Sequence, residues 1–252
     1  MIQLIEIKKE FGERVVSNGV NLTIPEGKMT AIIGRSGEGK SVLLKQIVGL
    51  IQPTSGQIII DGIEITNLPQ QKKEGLLEKF GYVFQFAALL DSLTVFQNIG
   101  ITLLERGDAS QRVLEIVKEQ LRMVNLPEDV LYRYPSDLSG GMRKRVGLAR
   151  TLVAHPKVIL YDEPTTGLDP ITTRIIHELM FDMQKKFNLT SVVVSHDVEI
   201  FKYADQVALL HEGKIRYTGE AKDIWDCQNP YVFQFIRGLS EGPMQSDKVK
   251  NS

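Results

Sequence analysis

The residues best equipped for chemistry are Gly34-Arg35-Ser36-Gly37-Glu38-Gly39-Lys40-Ser41, set between the apolar run Ala31-Ile32-Ile33 and Val42-Leu43-Leu44-Lys45-Gln46-Ile47. They fit G-x-x-x-x-G-K-[ST], with Gly34, Gly39, Lys40 and Ser41 in register and a strand–loop–helix context predicted around them. Glycines let successive backbone N–H groups turn inward around an anion, and the following helix presents its positive N-terminal end to the same phosphates. On this reading Lys40 reaches the β- and γ-phosphates of a nucleotide and the Ser41 hydroxyl ligates Mg²⁺. The plainer alternative is a Gly-rich strand-to-helix turn with a capping serine.

Other stretches carry the pieces that such a site needs. Val158-Ile159-Leu160-Tyr161 runs into Asp162-Glu163-Pro164. Two carboxylates at the C-terminal end of a buried strand are costly to place together unless a cation or a substrate requires them. Asp162 suits Mg²⁺, and Glu163 suits orienting and polarising an attacking water; an acidic pair capping a proline turn is the alternative. The apolar run Ser191–Val194 ends at Ser195-His196-Asp197, which puts His196 at a strand end near the expected γ-phosphate. Leu138-Ser139-Gly140-Gly141-Met142 opens a helix with Ser139 as its N-cap and two glycines behind it, either a second anion-binding helix start or simply a capped helix. Arg143-Lys144-Arg145 beyond it reads as a solvated face rather than a nucleic-acid patch. Phe11 is a candidate platform for adenine or a core aromatic at a strand end, and Gln85 ends a predicted strand where α/β sheets bind ligands, a weak signal alone.

The elements that must hold these residues follow from spacing. Residues 2–33 read as short strands broken at Phe11-Gly12 and Pro25-Glu26-Gly27, enough for a small antiparallel sheet. Gln57–Ile60 and Lys79–Phe84 are further strands, and Asp61-Gly62 is a hairpin signal. Residues 91–154 lose the strand pattern: Leu114, Val117, Leu121 and Val124 recur at helical spacing, with breaks at Pro127 and Pro135. The expectation is an α/β core with a helical lobe inserted at about 86–154. Thr165–Pro170 turns into a helix with apolar Ile171, Ile175, Ile176 and Leu179, and a hairpin is expected around Glu212-Gly213. Residues 241–252 are polar and expected to be disordered.

Composition removes several classes. A net charge of −1 over 252 residues gives no footprint for nucleic acid. A single cysteine, Cys227, excludes an internal disulfide and suits a reducing compartment. The start, Met1–Lys8, alternates like a strand and is not a secretory signal, and no run approaches the roughly 20 apolar residues that cross a bilayer. Any membrane connection is expected to come through a partner.

Taken together, residues 2–240 resemble the nucleotide-binding subunit of ABC transporters. Gly34–Ser41 corresponds to the Walker A motif, Gln85 to the Q-loop, Leu138–Met142 to the signature and Val158–Glu163 to Walker B with its catalytic glutamate. Leu168-Asp169 corresponds to the D-loop, His196 to the switch histidine and Phe11 to the adenine-stacking aromatic. The resemblance implies a P-loop NTPase core of mainly parallel sheet flanked by helices, an N-terminal antiparallel β subdomain and an inserted helical subdomain, all within one domain over 1–240. It implies ATP and Mg²⁺ as cofactors. ATP is bound by Phe11, Gly34, Arg35, Ser36, Gly37, Glu38, Gly39, Lys40, Ser41 and Val42, and from a second copy of the chain by Ser139, Gly140, Gly141, Met142 and Asp169. Mg²⁺ is held by Ser41, Gln85 and Asp162, and catalysis falls to Glu163, His196, Lys40 and Gln85. The apolar stretch Ala87–Leu90 with Val95-Phe96 is a docking groove for a membrane partner or buried core of the lobe.

A narrower resemblance lies in Phe84–Asn98, in Met142-Arg143-Lys144-Arg145-Val146, in Thr165–Ile171 and in Phe235–Pro243. These are similar to the Mla-type ATPases (MlaF and relatives), which serve MCE-protein systems that move phospholipids between bacterial membranes. Ending the signature in Met142 rather than glutamine departs from the general family and agrees with that branch. The implied partners are a permease of the MlaE type, an MCE-domain protein of the MlaD type and a small STAS-domain subunit, with no nucleic acid; the implied place is the cytoplasmic face of the bacterial inner membrane. The ATPase of an amino-acid or other small-solute importer is the near alternative. A soluble ATP-driven clamp of repair or translation lacks its expected coiled-coil insertion or second cassette here, and a non-hydrolysing regulatory binder does not need both Glu163 and His196.

Overall fold

A computed structural model describes residues 1–244. The chain forms two compact units: Met1–Lys73 with Val192–Ser252, and Glu74–Ser191. In the first unit, β1 (Ile2–Phe11), β2 (Arg14–Ile24), β4 (Ser55–Ile60) and β5 (Ile63–Glu64) make a four-stranded sheet in the order β2-β1-β4-β5. Its ladders are antiparallel, with Leu4 opposite both Leu22 and Ile58. The alternation seen in the sequence becomes one buried face of Ile2, Leu4, Val20, Leu22, Ile24, Ile58 and Ile60. Asp61 (φ 50°) and Gly62 (φ 81°) close the β4–β5 hairpin in the left-handed conformation that this dipeptide favours.

The first unit also holds β3 (Met29–Ile33), β8 (Thr190–Ser195, whose first two residues belong to the second unit), β9 (Gln206–His211) and β10 (Lys214–Glu220), in the order β10-β9-β3-β8. β3 runs parallel to β9, with Ala31 opposite Val207 and Ile33 opposite Leu209, and β10 returns antiparallel to β9. All five residues of β3 and all six of β8 are buried. A strand covered on both faces reads as a continuous apolar run, which is why alternation fails there. From the end of β3 the chain enters α1 (Lys40–Ile47); much later α7 (Pro230–Arg237) starts at the Asn229 cap and ends at Gly238, φ 61°.

The polar tail expected from residue 241 onward does not begin there. Met244 is buried, its N–H donates to Gln234 Oε1 (2.7 Å), and its carbonyl accepts from Gln234 Nε2 (3.0 Å). A side-chain amide on α7 thus substitutes for secondary structure and ties the segment down. Residues 245–252 lie outside the described residues.

In the second unit β6 (Phe80–Val83) pairs parallel with β7 (Val158–Asp162), Val83 opposite Tyr161. Between them come α3 (Val95–Glu105), α4 (Ser110–Met123) and α5 (Gly140–Leu152), and after β7 comes α6 (Pro170–Phe187). Thr94 and Gln97 close a capping box on α3. The buried stripe of α4 is Val113, Val117, Gln120 and Leu121, with Val113 in the place expected for Leu114. On α6 the buried residues are Ile176, His177, Leu179, Met180, Met183 and Gln184, whereas Ile171 and Ile175 of the expected apolar face are exposed. α5 packs on both β6 and α6. One helix, α2 (Gln70–Leu77), was not expected at all: QQKKEGLL offers no apolar stripe. Among the described residues no helix is long and apolar enough to cross a membrane.

α5 can lie this close to β6 only because residue 81 is glycine. A Cβ there would stand 2.3 Å from Thr151 Cγ2 and 3.3 Å from Pro156 Cγ. Gly81→Ala is expected to cost about 1–3 kcal/mol through overpacking and to lower the thermal midpoint by several degrees, as read by circular dichroism.

Candidate active site

The loop Gly34–Gly39 is built from close approaches that a side chain would prevent. A Cβ on Gly34 (φ 158°) would lie 2.4 Å from the Leu210 carbonyl oxygen, and one on Gly39 (φ 91°) would lie 2.5 Å from Val16 Cγ1. Gly37 also has a left-handed φ, 83°. Gly39 is the residue that starts α1, without a side-chain cap, so the helix start is backbone alone. Lys40 is 5% exposed and folds its ammonium back onto the Gly34 and Arg35 carbonyls, at 2.8 and 2.9 Å. Arg14 at the start of β2 donates to the Gly37 carbonyl, 3.4 Å. Phe11 is 48% exposed, with Lys9 Nζ 4.7 Å above its ring, so it is a surface aromatic and not a core one. His196, directly after β8, is exposed.

The remaining site residues belong to the second unit. Asp162 ends β7, is 6% exposed and accepts a hydrogen bond from the Tyr82 hydroxyl, 2.9 Å. Burial, with the Asp162 charge next in weight, pushes the Tyr82 phenol far above its usual range. Glu163 adopts φ 50°, a conformation that costs a non-glycine residue free energy and turns the chain sharply off the strand. Its carboxylate accepts from Thr166 Oγ1 at 3.1 Å. Ser139 Oγ caps α5 by accepting from the Met142 N–H, 3.3 Å. Gly141 has a packing reason as well, since a Cβ would stand 2.5 Å from Thr172 Cγ2. Asp169 caps α6, accepting from the Ile171 and Thr172 N–H groups and from Thr172 Oγ1. The Thr172 hydroxyl, helped by those N–H groups, holds its carboxyl below the usual range.

Residues 17–166 match the protein family described as ABC transporter. The chain belongs to that family. It is 36% identical over 247 residues to the intermembrane phospholipid transport ATP-binding protein MlaF of Haemophilus influenzae, covering 96% of this chain and 93% of that one. It is 38% identical over 226 residues to the methionine import ATP-binding protein MetN of Rhizobium johnstonii, covering 89% of this chain and only 62% of that protein's length. Among solved structures, the dimeric ABC transporter cassette MJ0796 superposes with a TM-score of 0.80 at 32% identity, covering 88% of this chain and 99% of that one. The same cassette is known in a post-hydrolysis state bound to ADP and Pi. CbiO1 of Clostridium perfringens gives a TM-score of 0.82 at 29% identity over 95% of this chain and 94% of that one. The fold is that of the ABC ATPase, an α/β cassette that hydrolyses ATP with Mg²⁺.

The residues of this ABC cassette fit those ligands. Glycine-only approaches leave the loop backbone bare, and a nearly buried ammonium lies in it to meet phosphate charge. Asp162, a nearly buried carboxylate at the end of β7, is an oxygen donor of the kind a hard cation takes. Several supporting residues escaped the sequence reading. The run Arg143-Lys144-Arg145 is solvated only in part: the exposed Arg143 donates to the Pro135 and Leu138 carbonyls, the half-buried Arg145 to the Asn125 carbonyl, and the nearly buried Lys144 ammonium to the Gln85 carbonyl. Burial pushes the Lys144 amine down, partly countered by Glu163. Tyr82 had no signal beyond its place in an apolar strand.

Tyr82 supplies a pH test. Unfolded chain releases the phenol proton near pH 10, whereas the folded chain keeps it, so stability is lost as pH rises above about 10. Tyr82→Phe removes that proton, and its thermal midpoint is expected to fall less steeply than that of wild type between pH 9.5 and 11.

Proposed function

We propose that this chain is the ATP-hydrolysing motor subunit of a bacterial ABC transporter that moves phospholipids between membranes. The observation that carries the lipid reading is the likeness to MlaF, which extends over 96% of this chain. It is supported by the residue runs Phe84–Asn98, Met142–Val146 and Phe235–Pro243 that resemble the Mla branch. The importer reading rests on the methionine import proteins, which match at 38–40% identity. In either reading the chain works from the cytoplasmic face of the inner membrane, held there by a permease.

In this proposal Gly34–Ser41 wraps the triphosphate, Phe11 stacks on adenine, and Lys40 meets the charge on the β- and γ-phosphates. Ser41, Gln85 and Asp162 would hold Mg²⁺, which would supply charge stabilisation to the transferring phosphoryl group. Gln85 would also connect the site to the helical segment that follows. Glu163 orients a water for in-line attack on the γ-phosphorus; the bond to the ADP oxygen breaks, and ADP and inorganic phosphate leave. The strained φ of Glu163 suits this role, since such strain persists where geometry matters to function. His196 contacts the γ-phosphate. Ser139, Gly140 and Gly141 of a second copy cover the same phosphates, giving two head-to-tail sites, a reading supported by the dimeric form of the cassette MJ0796. Closure is a population shift driven by the preference of ATP for the closed dimer.

The exposed apolar residues next to Gln85 suit a permease. Phe86 is 83% exposed and Leu90 47%, while Ala87 and Val95 are buried core, so the expected docking stretch divides residue by residue between surface and interior. The further partners are an MCE-domain protein and a small STAS-domain subunit.

Two measurements test this. Glu163→Gln is expected to cut the ATPase rate by about 10²–10³ while retaining ATP binding; near-normal turnover removes Glu163 from the mechanism. Purification from native membranes in mild detergent is expected to bring a polytopic permease, an MCE-domain protein and phospholipid, whereas a small-solute binding protein in their place overturns the lipid reading.

A further inference from the structure

Within the phosphate loop, the side chain of Glu38 is engaged away from the loop itself. Its Oε1 lies 2.7 Å from His211 Nδ1, and its Oε2 accepts the Glu212 N–H at 2.6 Å. His211 ends β9 and Glu212 follows it in the turn, 173 and 174 residues further along the chain. The pair is sheltered: the His211 side chain is 5% exposed and that of Glu38 14%. A carboxylate oxygen taking a backbone N–H at this distance is a strong, charge-assisted hydrogen bond, and two such contacts fix both the position and the rotation of the group.

The contacts close a ring. At the front of the loop Gly34 lies against the Leu210 carbonyl, and at its back Gly39 lies against Val16. The β9–β10 turn reaches the same strand, the Asn18 N–H donating to the Gly213 carbonyl at 2.8 Å. Glu212 (φ 48°) and Gly213 (φ 69°) are both left-handed, and a Cβ on Gly213 would stand 2.9 Å from the Val16 carbonyl oxygen. The loop is therefore held at Gly34, Glu38 and Gly39 by β2 and by the end of β9. Behind His211 the Tyr231 ring of α7 packs at 5.7 Å between centroids, and Arg216 lies 5.3 Å over that ring while pairing with Glu212.

We propose that the Glu38–His211–Glu212 cluster is a brace that sets the nucleotide affinity of the phosphate loop, with Glu38 and His211 as positioning residues whose side chains do not touch ATP. An anion-binding loop works only if its N–H groups already converge, because ordering them on binding subtracts from affinity. The carboxylate of Glu38 does this ordering before nucleotide arrives. The inference rests on Gly34–Ser41 being the loop that grips the phosphates.

The test is the affinity of the full chain for a fluorescent ATP analogue with Mg²⁺, measured with the thermal midpoint of each nucleotide-free variant. Glu38→Ala and His211→Ala are each expected to weaken binding by about tenfold. Glu38→Gln, which keeps one acceptor oxygen, is expected to recover most of the loss. Because the two residues act as one unit, the double variant Glu38→Ala/His211→Ala is expected to bind no worse than Glu38→Ala. A purely structural role would lower the nucleotide-free midpoint and leave affinity unchanged. Wild-type affinity in Glu38→Ala, or losses that multiply in the double variant, overturns the brace. Lys40→Ala separates the two levels: if it abolishes binding while Glu38→Ala binds with wild-type affinity, the brace alone falls, and if Lys40→Ala binds normally, the phosphate-loop reading falls with it. Either single variant carries the test should the other fail to fold.

Discussion

Room for a backbone with no side chain on it is the constraint on which the nucleotide-binding part of this protein depends. Gly34 meets a carbonyl oxygen of β9 and Gly39 meets a side chain of β2, both at distances no Cβ tolerates. The strands must then supply firm walls, and they do so by being buried on both faces, as β3 is, or by exchanging hydrogen bonds with the opposite wall, as Asn18 and Gly213 do. Lys40 completes the arrangement by folding onto the loop's own carbonyls, which keeps a buried cation compensated.

The second unit solves a comparable problem with cations in place of glycines. Its connecting loops leave carbonyl groups without ladder partners, and a buried carbonyl needs a donor. Arg143, Lys144, Arg145 and Arg150, all on α5, reach out to carbonyls of Leu138, Gln85, Asn125 and Ala87. One helix thus fixes the segment leading into it, the chain at Gln85 and Ala87, and the end of α4 at once. Desolvating these positive groups costs free energy, since burial pushes the Lys144, Arg145 and Arg150 groups below their usual range, and the carbonyl bonds offset it.

Residues whose type is dictated by local chemistry were legible in the sequence. The Asp61-Gly62 hairpin, the Ser139 cap and the Gly-rich loop each declare themselves within a few positions. Features resting on long-range partners were not legible. His211 is an ordinary histidine until Glu38 comes within 2.7 Å of it, and nothing near either residue announces the other. Lys144 and Arg145 looked solvated because their carbonyl partners lie 59 and 20 residues away. α2 escaped because a helix without an apolar stripe has no periodicity to read. Leu114 and Ile171 were misplaced for the opposite reason: an apolar residue one step off the buried stripe satisfies the same spacing by eye.

The division of the chain has a consequence for how the protein is made. The second unit is one continuous segment, 74–191, whereas the first is assembled from two stretches on either side of it. During synthesis the strands of 1–73 emerge well before their neighbours: Thr30 waits for Gln206, 176 residues later, and Glu38 for His211. The inserted unit can gather its own contacts on the ribosome, while β3, apolar on both faces, must stay unpaired along β9 until nearly the whole chain is out. Competence to hold a nucleotide therefore arrives last, and an unfinished chain has no phosphate loop with which to capture ATP.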